Sequence, residues 1–453
     1  MNNGFIKTIK AGVFFPVLFF CFSPLYLKAQ EVKVLSLQEA INLSIQNSNQ
    51  LKASAARNEQ ASAQLKQALD NKLPNATISG SYLRMAHPNI TLKTNAFNGA
   101  PDTSGNPKTV PSVNQAMYGI ANISYPIFTG GKIRYGIESA KYLEEATLLD
   151  GQHDKEAVIL NTINAYINLY KASVTVKVVK ENLAQSEQRD SVFRRLEQNG
   201  LLARNDLLKA ELQTSNISLS LLDAENNFKI ANINMALMLG LPEGSMISTD
   251  ASSFEKNIES KTIGEYLQLA LQNRKDIQAL SFREKAATSG ISLAKSELYP
   301  SVALTGGYVA ANVPHLLTIT NAVNVGVGLQ YNLGSLWKTK AKISQAQARQ
   351  KEIAANEAQL FDAVKLQVNN NFENYLLSRK KIEVYKNAVV QAEENNRITK
   401  NKYENALVNT TELLDANVLL LQSQINLAVA KADVLLAYSR LLETTGTLLE
   451  NQE

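Results

Sequence analysis

The chain has 453 residues, 45% apolar and 19% charged, with a formal net charge of +5 and a single cysteine. This composition excludes a disordered chain, and lysines dispersed among Glu and Asp exclude a nucleic-acid-binding patch. A lone cysteine, Cys21, excludes an internal disulfide framework.

Residues 1–29 have the form of a secretory signal. Lys7 and Lys10 precede an apolar core over residues 11–27, and Ala29 offers a small residue for cleavage. An N-terminal membrane anchor is the alternative. Cys21 follows Phe20 and not the small residue a lipidation site wants, which speaks against a lipoprotein.

The rest of the chain is an internal repeat. One constant offset pairs Leu37–Asn47 with Ile263–Asn273, Pro74 with Pro300, Gly80 with Gly306 and Tyr82 with Tyr308. A shorter offset then pairs Tyr125 with Tyr331, Ile137 with Ile343, Ala210 with Ala416 and Gly240 with Gly446. The offset changes where the first half has the longer loop. The chain thus divides into a first repeat at 30–246, a linker at 247–261 and a second repeat at 262–453.

Both repeats have the same order of predicted elements. A helix spans 36–73, and 262–299 in the second half. It stops at Pro74 or Pro300, which cannot continue it. A strand follows, in which Val302, Leu304, Gly306 and Tyr308 alternate with Ala303, Thr305, Gly307 and Val309. Residues 88–111, rich in Asn, Gly, Pro, Ser and Thr, read as an exposed loop, and 311–321 as its short counterpart. The returning strand sets Val325, Val327, Leu329 and Tyr331 against Asn324, Gly326, Gly328 and Gln330.

A long helix then begins near Lys132, and again near Lys338. Residues 132–199 contain no proline, and 335–445 contain neither proline nor glycine. The first long helix ends at Asn199-Gly200, after which Asn205-Asp206 can cap a return helix to Leu239. The second turns at 405–409, where Asn409 and Glu412 form a fresh N-terminus. A helix of about 67 residues is roughly 100 Å long, and two of about 35 stacked end to end match it. The expected product is a tall helical wall with an inner seam at Ile159, Ile163, Ile167, Tyr170, Val174 and Val178.

No run after residue 29 is expected to form an apolar helix of the roughly 18–20 residues that span a membrane. A chain that crosses one must therefore use its strands. Their alternation, with tyrosines near the ends, is the pattern of outer-membrane strands. Four strands leave unpaired edges, which lipid penalises by several kcal/mol per group, so several chains must close one barrel. A half-buried sheet capping a helical bundle is the alternative that alternation alone leaves open.

At this point the chain resembles the TolC-like outer-membrane channel family, over about residues 35–446. The residues that carry the resemblance are Tyr125-Pro126-Ile127-Phe128-Thr129-Gly130-Gly131-Lys132 at the entry to the first long helix, Gly200-Leu201 with Asp206-Leu207, and Glu412-Leu413-Leu414-Asp415-Ala416. The resemblance implies a mostly α fold with a small β part. Duplicated antiparallel helical hairpins form a periplasmic α-barrel, and four strands per chain join a shared transmembrane β-barrel. It also implies a homotrimer in outer-membrane lipid, acting as the exit duct of a tripartite efflux pump or a type I secretion system. The implied partners are a periplasmic adaptor (membrane fusion) protein and an inner-membrane transporter. A periplasmic structural or adaptor-like coiled-coil protein that never inserts is the competing reading. The chain departs from the family in having Ala406 where glycine is common, and Val408 where some members have a basic gating residue. Tyr331-Asn332-Leu333-Gly334 also differs from the first strand-to-helix junction.

The resemblance implies a channel constriction at Glu412 and Asp415, with Asp206, and adaptor-docking tips at Gly200, Leu201, Ala406 and Leu407. Glu412 and Asp415 share a helix face, and a ring of such carboxylates favours cations and resists closing. Each has a plainer role: Glu412 in a capping box, Asp206 as a cap, Gly200 as a turn glycine. Arg204 is expected to be solvated or to pair with an acid near the tip. No catalytic, cofactor or metal site is expected. His87, His153 and His315 are isolated, and Gly130-Gly131-Lys132 lacks the remainder of a phosphate loop.

Overall fold

The computed structural model describes residues 33–86, 113–250, 261–314 and 316–449. The expected signal segment, the 88–111 loop, most of the linker, His87 and His315 lie outside the described residues. The first repeat runs β1 (Lys33–Leu35), α1 (Leu37–Asn47), α2 (Asn49–Asp70), β2 (Asn75–Arg84), β3 (Gln115–Phe128), α3 (Lys132–Gln198) and α4 (Arg204–Leu239). The second runs β4 (Ile247–Thr249), α5 (Ile263–Asn273), α6 (Lys275–Ser296), β5 (Ser301–Val313), β6 (Leu317–Gln330), α7 (Ser335–Glu404) and α8 (Thr410–Thr444). With 67 and 70 residues, α3 and α7 are each roughly 100 Å long.

The helices expected over 36–73 and 262–299 are each two helices. Ser36 and Glu39, and likewise Thr262 and Glu265, close a capping box at the start of the first piece. The breaks fall at Ser48 and Arg274, both extended, with ψ of 117° and 123°. The Ser48 hydroxyl accepts from the Leu51 N–H and so starts α2. Each break lies where a return helix arrives. Asn47 donates through Nδ2 to the carbonyl of Leu239, at the end of α4, at 2.8 Å. At the end of α8, a Cβ on Gly446 would stand 2.8 Å from the Asn273 carbonyl carbon. Gly240 and Gly446, at φ +68° and +67°, make these end-to-end joints possible.

The sheet has the order β2-β3-β5-β6 and is antiparallel throughout. Its register preserves the repeat: Ile78 faces Ala121 as Leu304 faces Val327, and Gly80 faces Gly119 as Gly306 faces Val325. One face carries Ile78, Ile123, Leu304, Val325, Val327 and Leu329, of which Ile78 is 90% exposed and Val325 78%. The other carries Thr77, Asn122, Thr305, Gly307, Asn324 and Gln330. The loop expected at 311–321 is largely strand. β5 and β6 pair through Val313 and Leu317, and a register shift between Val309 and Ala311 absorbs the extra residue.

A second sheet was not legible in the sequence. β1 and β4 pair in parallel over three residues. Asn232 makes two of the bonds that seat β4: Oδ1 accepts from the Ile247 N–H at 2.9 Å, and Nδ2 donates to the Ser245 carbonyl at 2.7 Å. The Tyr166 hydroxyl donates to the Leu35 carbonyl at 2.8 Å.

The core lies midway along the column. Tyr166, Leu169, Met235 and Leu239 form one cluster, Ile41, Ile159, Ile163 and Ile167 a second, and Tyr266, Val368, Tyr375 and Leu441 a third. The expected seam thus holds through Tyr170, which packs on the second cluster. Beyond it Val174 and Val178 are only half-buried, and the seam moves to Val179, Ser186 and Phe193. Those positions, with Ala210, Ile217 and Ala224 on α4, repeat every seven residues, the spacing of a supercoiled pair. One expectation fails: α8 is long and apolar enough to cross a membrane, with a mean hydropathy of 1.3 in its most apolar window. It instead lies along α7 and α3, burying Leu413, Ala416, Ala432, Leu436 and Leu441.

Candidate docking tips and channel constriction

The two hairpin tips are built alike. α3 ends at Asn199 with Gly200 left-handed at φ +73°. The Leu201 N–H bonds the Leu196 carbonyl and the Gly200 N–H bonds the Glu197 carbonyl, at 2.8 and 2.9 Å. α7 ends at Asn405 with the same pair of bonds, Leu407 to Lys402 and Ala406 to Tyr403. Both are Schellman caps. Ala406 holds the left-handed position at φ +57° without being glycine, a strain of about 1–2 kcal/mol.

The return helices start differently. Asn409 accepts the Glu412 N–H at 3.0 Å and caps α8. Its repeat-equivalent is Ala203, which has no side-chain oxygen to cap α4. Asp206 therefore does not cap its helix. It sits in the first turn, as Glu412 does, where the helix dipole favours an acid. Lys209 Nζ lies 3.4 Å from its carboxylate, and Arg204 is 3.3 Å from Glu197 across the turn.

A small core joins the tips: Phe193, Leu207, Ala210 and Leu413, with the Phe193 and Tyr403 rings stacked at 5.5 Å. Beside it runs a groove of about 920 Å³, lined among others by Arg189, Leu201, Asp206, Tyr403, Ala406 and Val408. Burial lowers the Arg189 pKa against the pull of Asp190. Gly200 and Leu407 stand at the ends of the turns, Leu407 74% exposed. Glu412 and Asp415 lie outside the groove, side by side on the exposed face of α8. The structure thus brings Leu201, Asp206 and Ala406 together, and leaves the Glu412–Asp415 pair separate.

Sequence reasoning missed a buried ionic cluster at mid-column. Arg274, at the α5–α6 break, is 8% exposed. It donates to both Asp276 oxygens at 3.0 and 2.6 Å, to Gln367 at 2.9 Å and to the Thr444 carbonyl at 3.3 Å. Burial alone would raise Asp276, but the Arg274 bond and charge hold it below its ordinary value. Glu156 on α3 is 1% exposed, and its Oε1 has no hydrogen-bond partner. Burial, then the charge of Glu443, pushes its pKa up to about 7, against the pull of Lys275 and Arg274; Asp276 adds to the rise. Burial raises Glu443 as well, against Arg274 and His153.

A glutamate in the unfolded chain titrates near 4.5. Between that value and about 7 the folded chain holds a proton on Glu156 that the unfolded chain has lost, so stability falls as pH rises through this window. The slope from this group is at most roughly 1.4 kcal/mol per pH unit. Glu156→Gln is expected to flatten the profile between pH 5 and 7 and to raise stability at pH 8, as read from guanidinium midpoints by far-UV circular dichroism.

Residues 40–241 and 266–447 match the outer membrane efflux protein family, one stretch in each repeat. The chain is 23% identical over 320 residues to the outer membrane protein TolC of Vibrio cholerae, covering 68% of this chain and 72% of that one. It is 21% identical over 416 residues to the outer membrane efflux protein BepC of Brucella suis, covering 89% and 88%. Among solved structures, the outer membrane protein VceC of Vibrio cholerae superposes with a TM-score of 0.74 at 18% identity, over 90% of this chain and 96% of that one. That likeness establishes the shared fold.

Proposed function

We propose, from the premise that this chain belongs to the outer membrane efflux protein family, that it is the exit duct of a tripartite efflux pump or a type I secretion system. The observation that carries this reading is the sheet. It is apolar on one face, mostly small and polar on the other, and, among the described residues, unpaired along the outer edges of β2 and β6. In lipid such edges must be closed by further copies. Three chains of four strands give a twelve-stranded barrel, with the polar face lining the bore, above a helical tunnel roughly 100 Å tall.

The tips at Gly200-Leu201 and Ala406-Leu407 dock a periplasmic adaptor protein, and an inner-membrane transporter drives passage. The Leu201 and Leu407 side chains, 75% and 74% exposed at the ends of rigid caps, supply the apolar contact. Glu412 and Asp415, with Asp206, ring the narrow periplasmic end. Mutual repulsion of those carboxylates opposes closing and favours cations in the bore.

Single-channel recording in a planar bilayer, with the oligomer mass in detergent, tests both levels. The expected result is discrete, cation-selective conductance from a trimer. Glu412→Gln with Asp415→Asn is expected to shift the reversal potential in a salt gradient towards non-selectivity. Unchanged selectivity in that double variant would remove the carboxylate ring, and a non-conducting monomer would remove the duct.

A further inference from the structure

All four strand–helix junctions lie at the foot of the sheet, and cations gather there. α3 runs between α2 and α6, and a cleft opens on each side of its first turn. One cleft, of about 480 Å³, is lined by Lys72, Tyr125, Ile127, Phe128, Ile133 and Arg134 among others. The second, of about 400 Å³, is lined by Phe128, Arg134, Tyr135, Lys295, Ser296 and Tyr299 among others. Arg134 lines both. No acidic residue lines either cleft. The acids nearest in sequence are elsewhere: Asp70 and Glu138 line neither cleft, and Glu297 is held by Lys342 at 2.7 Å.

The backbone is shaped to keep these clefts. Gly130 and Gly131 have φ of +61° and +87°. A Cβ on the first would come within 2.6 Å of Tyr299 Cβ, and one on the second within 2.8 Å of the Tyr135 ring. The chain can therefore turn from sheet to helix flush against both tyrosines. Lys72, Arg134 and Lys295 are all exposed, and none of them has an ion-pair partner among the described salt bridges. Above the clefts, Tyr125 and Phe128 pair with Leu304 and Val302, on the apolar face of the sheet. A ligand seated here meets cations at one end and a continuous apolar wall at the other.

We infer that these clefts bind the phosphate headgroups of anionic glycerophospholipids in the periplasmic leaflet of the outer membrane, with the acyl chains lying along the apolar sheet face. The phosphate is shared by Arg134 with Lys72 on one side and with Lys295 on the other. Arg supplies a planar fork to phosphate and the lysines supply point charge. Tyrosines at this level belong to the interfacial aromatic girdle. Both clefts lie within one chain, flanking α3, so each copy carries its own pair. The inference rests on the sheet lying in a bilayer, and insertion is measured separately below.

The test uses the full mature chain. Co-flotation with phosphatidylcholine vesicles first establishes insertion, without reference to headgroup. Native mass spectrometry then counts lipid retained from detergent containing equal amounts of phosphatidylglycerol and phosphatidylcholine. Phosphatidylglycerol is expected to be retained roughly 25-fold over phosphatidylcholine, since each of the two basic residues of a cleft contributes on the order of a fivefold preference. Lys72→Gln with Arg134→Gln and Lys295→Gln is expected to bring the ratio near one. Arg134→Lys alone is expected to keep most of it, and so is Lys380→Gln with Lys386→Gln, far down the column. Equal retention of both lipids by the unaltered chain overturns the inference. So does a preference that survives the triple substitution, or one lost equally with the distant pair.

Discussion

Arg274→Ala is expected to destabilise the folded column by about 3–5 kcal/mol, the cost of removing one partner from a buried ionic cluster. The guanidinium is 8% exposed and makes four hydrogen bonds, so its loss strands the carboxylate of Asp276 and the carbonyl of Thr444. It also removes the charge that restrains Glu156 and Glu443. Both glutamates then take up protons more readily, and the loss is greater at pH 8 than at pH 5. A guanidinium titration followed by far-UV circular dichroism measures it. A double change of Arg274→Met with Asp276→Leu is expected to recover much of the loss, because it removes both charges together. A single-variant cost below about 1 kcal/mol would mean that the cluster is solvated.

The second large effect concerns the sheet. Val325→Arg is expected to cost about 2–4 kcal/mol per chain, the penalty for a cation at the lipid-facing midplane of a barrel. Val325 lies near the middle of β6, opposite Gly306, and is 78% exposed. Its neighbour Asn324 points to the polar face, and Asn324→Arg is expected to leave insertion intact while altering conductance. The amount of heat-resistant oligomer extracted from outer membranes reads both. Equal loss in the two variants would mean that the sheet has no lipid face.

The long helices were legible because a run free of proline, and in the second half free of glycine too, leaves little else for the chain to form, and each ends on an asparagine, Asn199 before Gly200 and Asn405 before Ala406. The sheet faces were legible from period-two alternation. The breaks at Ser48 and Arg274 were less so. Ser48 does carry a cap signal, but Arg274 has no side-chain cap, and its extended conformation is set by partners from α7 and α8. β1 and β4 are too short for periodicity to show, and Asn232, which seats β4, reads in sequence as one more polar helix residue. Asp206 looked like a cap, since an acid before an apolar residue is the usual sign; the helix in fact begins two residues earlier, after Ala203. The Glu156–Arg274–Glu443 cluster left no local trace, because its members come from three distant parts of the chain.

The two unpaired sheet edges also govern how the protein responds to its own concentration. On the reading above, no single copy has a satisfied membrane-inserted form, so insertion and association are one equilibrium. Mass action then makes apparent stability a function of copy number: the midpoint of unfolding moves with dilution, and a weakened lipid face lowers the yield of assembled rings more steeply than it lowers the stability of each subunit. Cells holding few copies would register a modest lesion in β2 or β6 as a missing channel, while cells holding many would barely notice it.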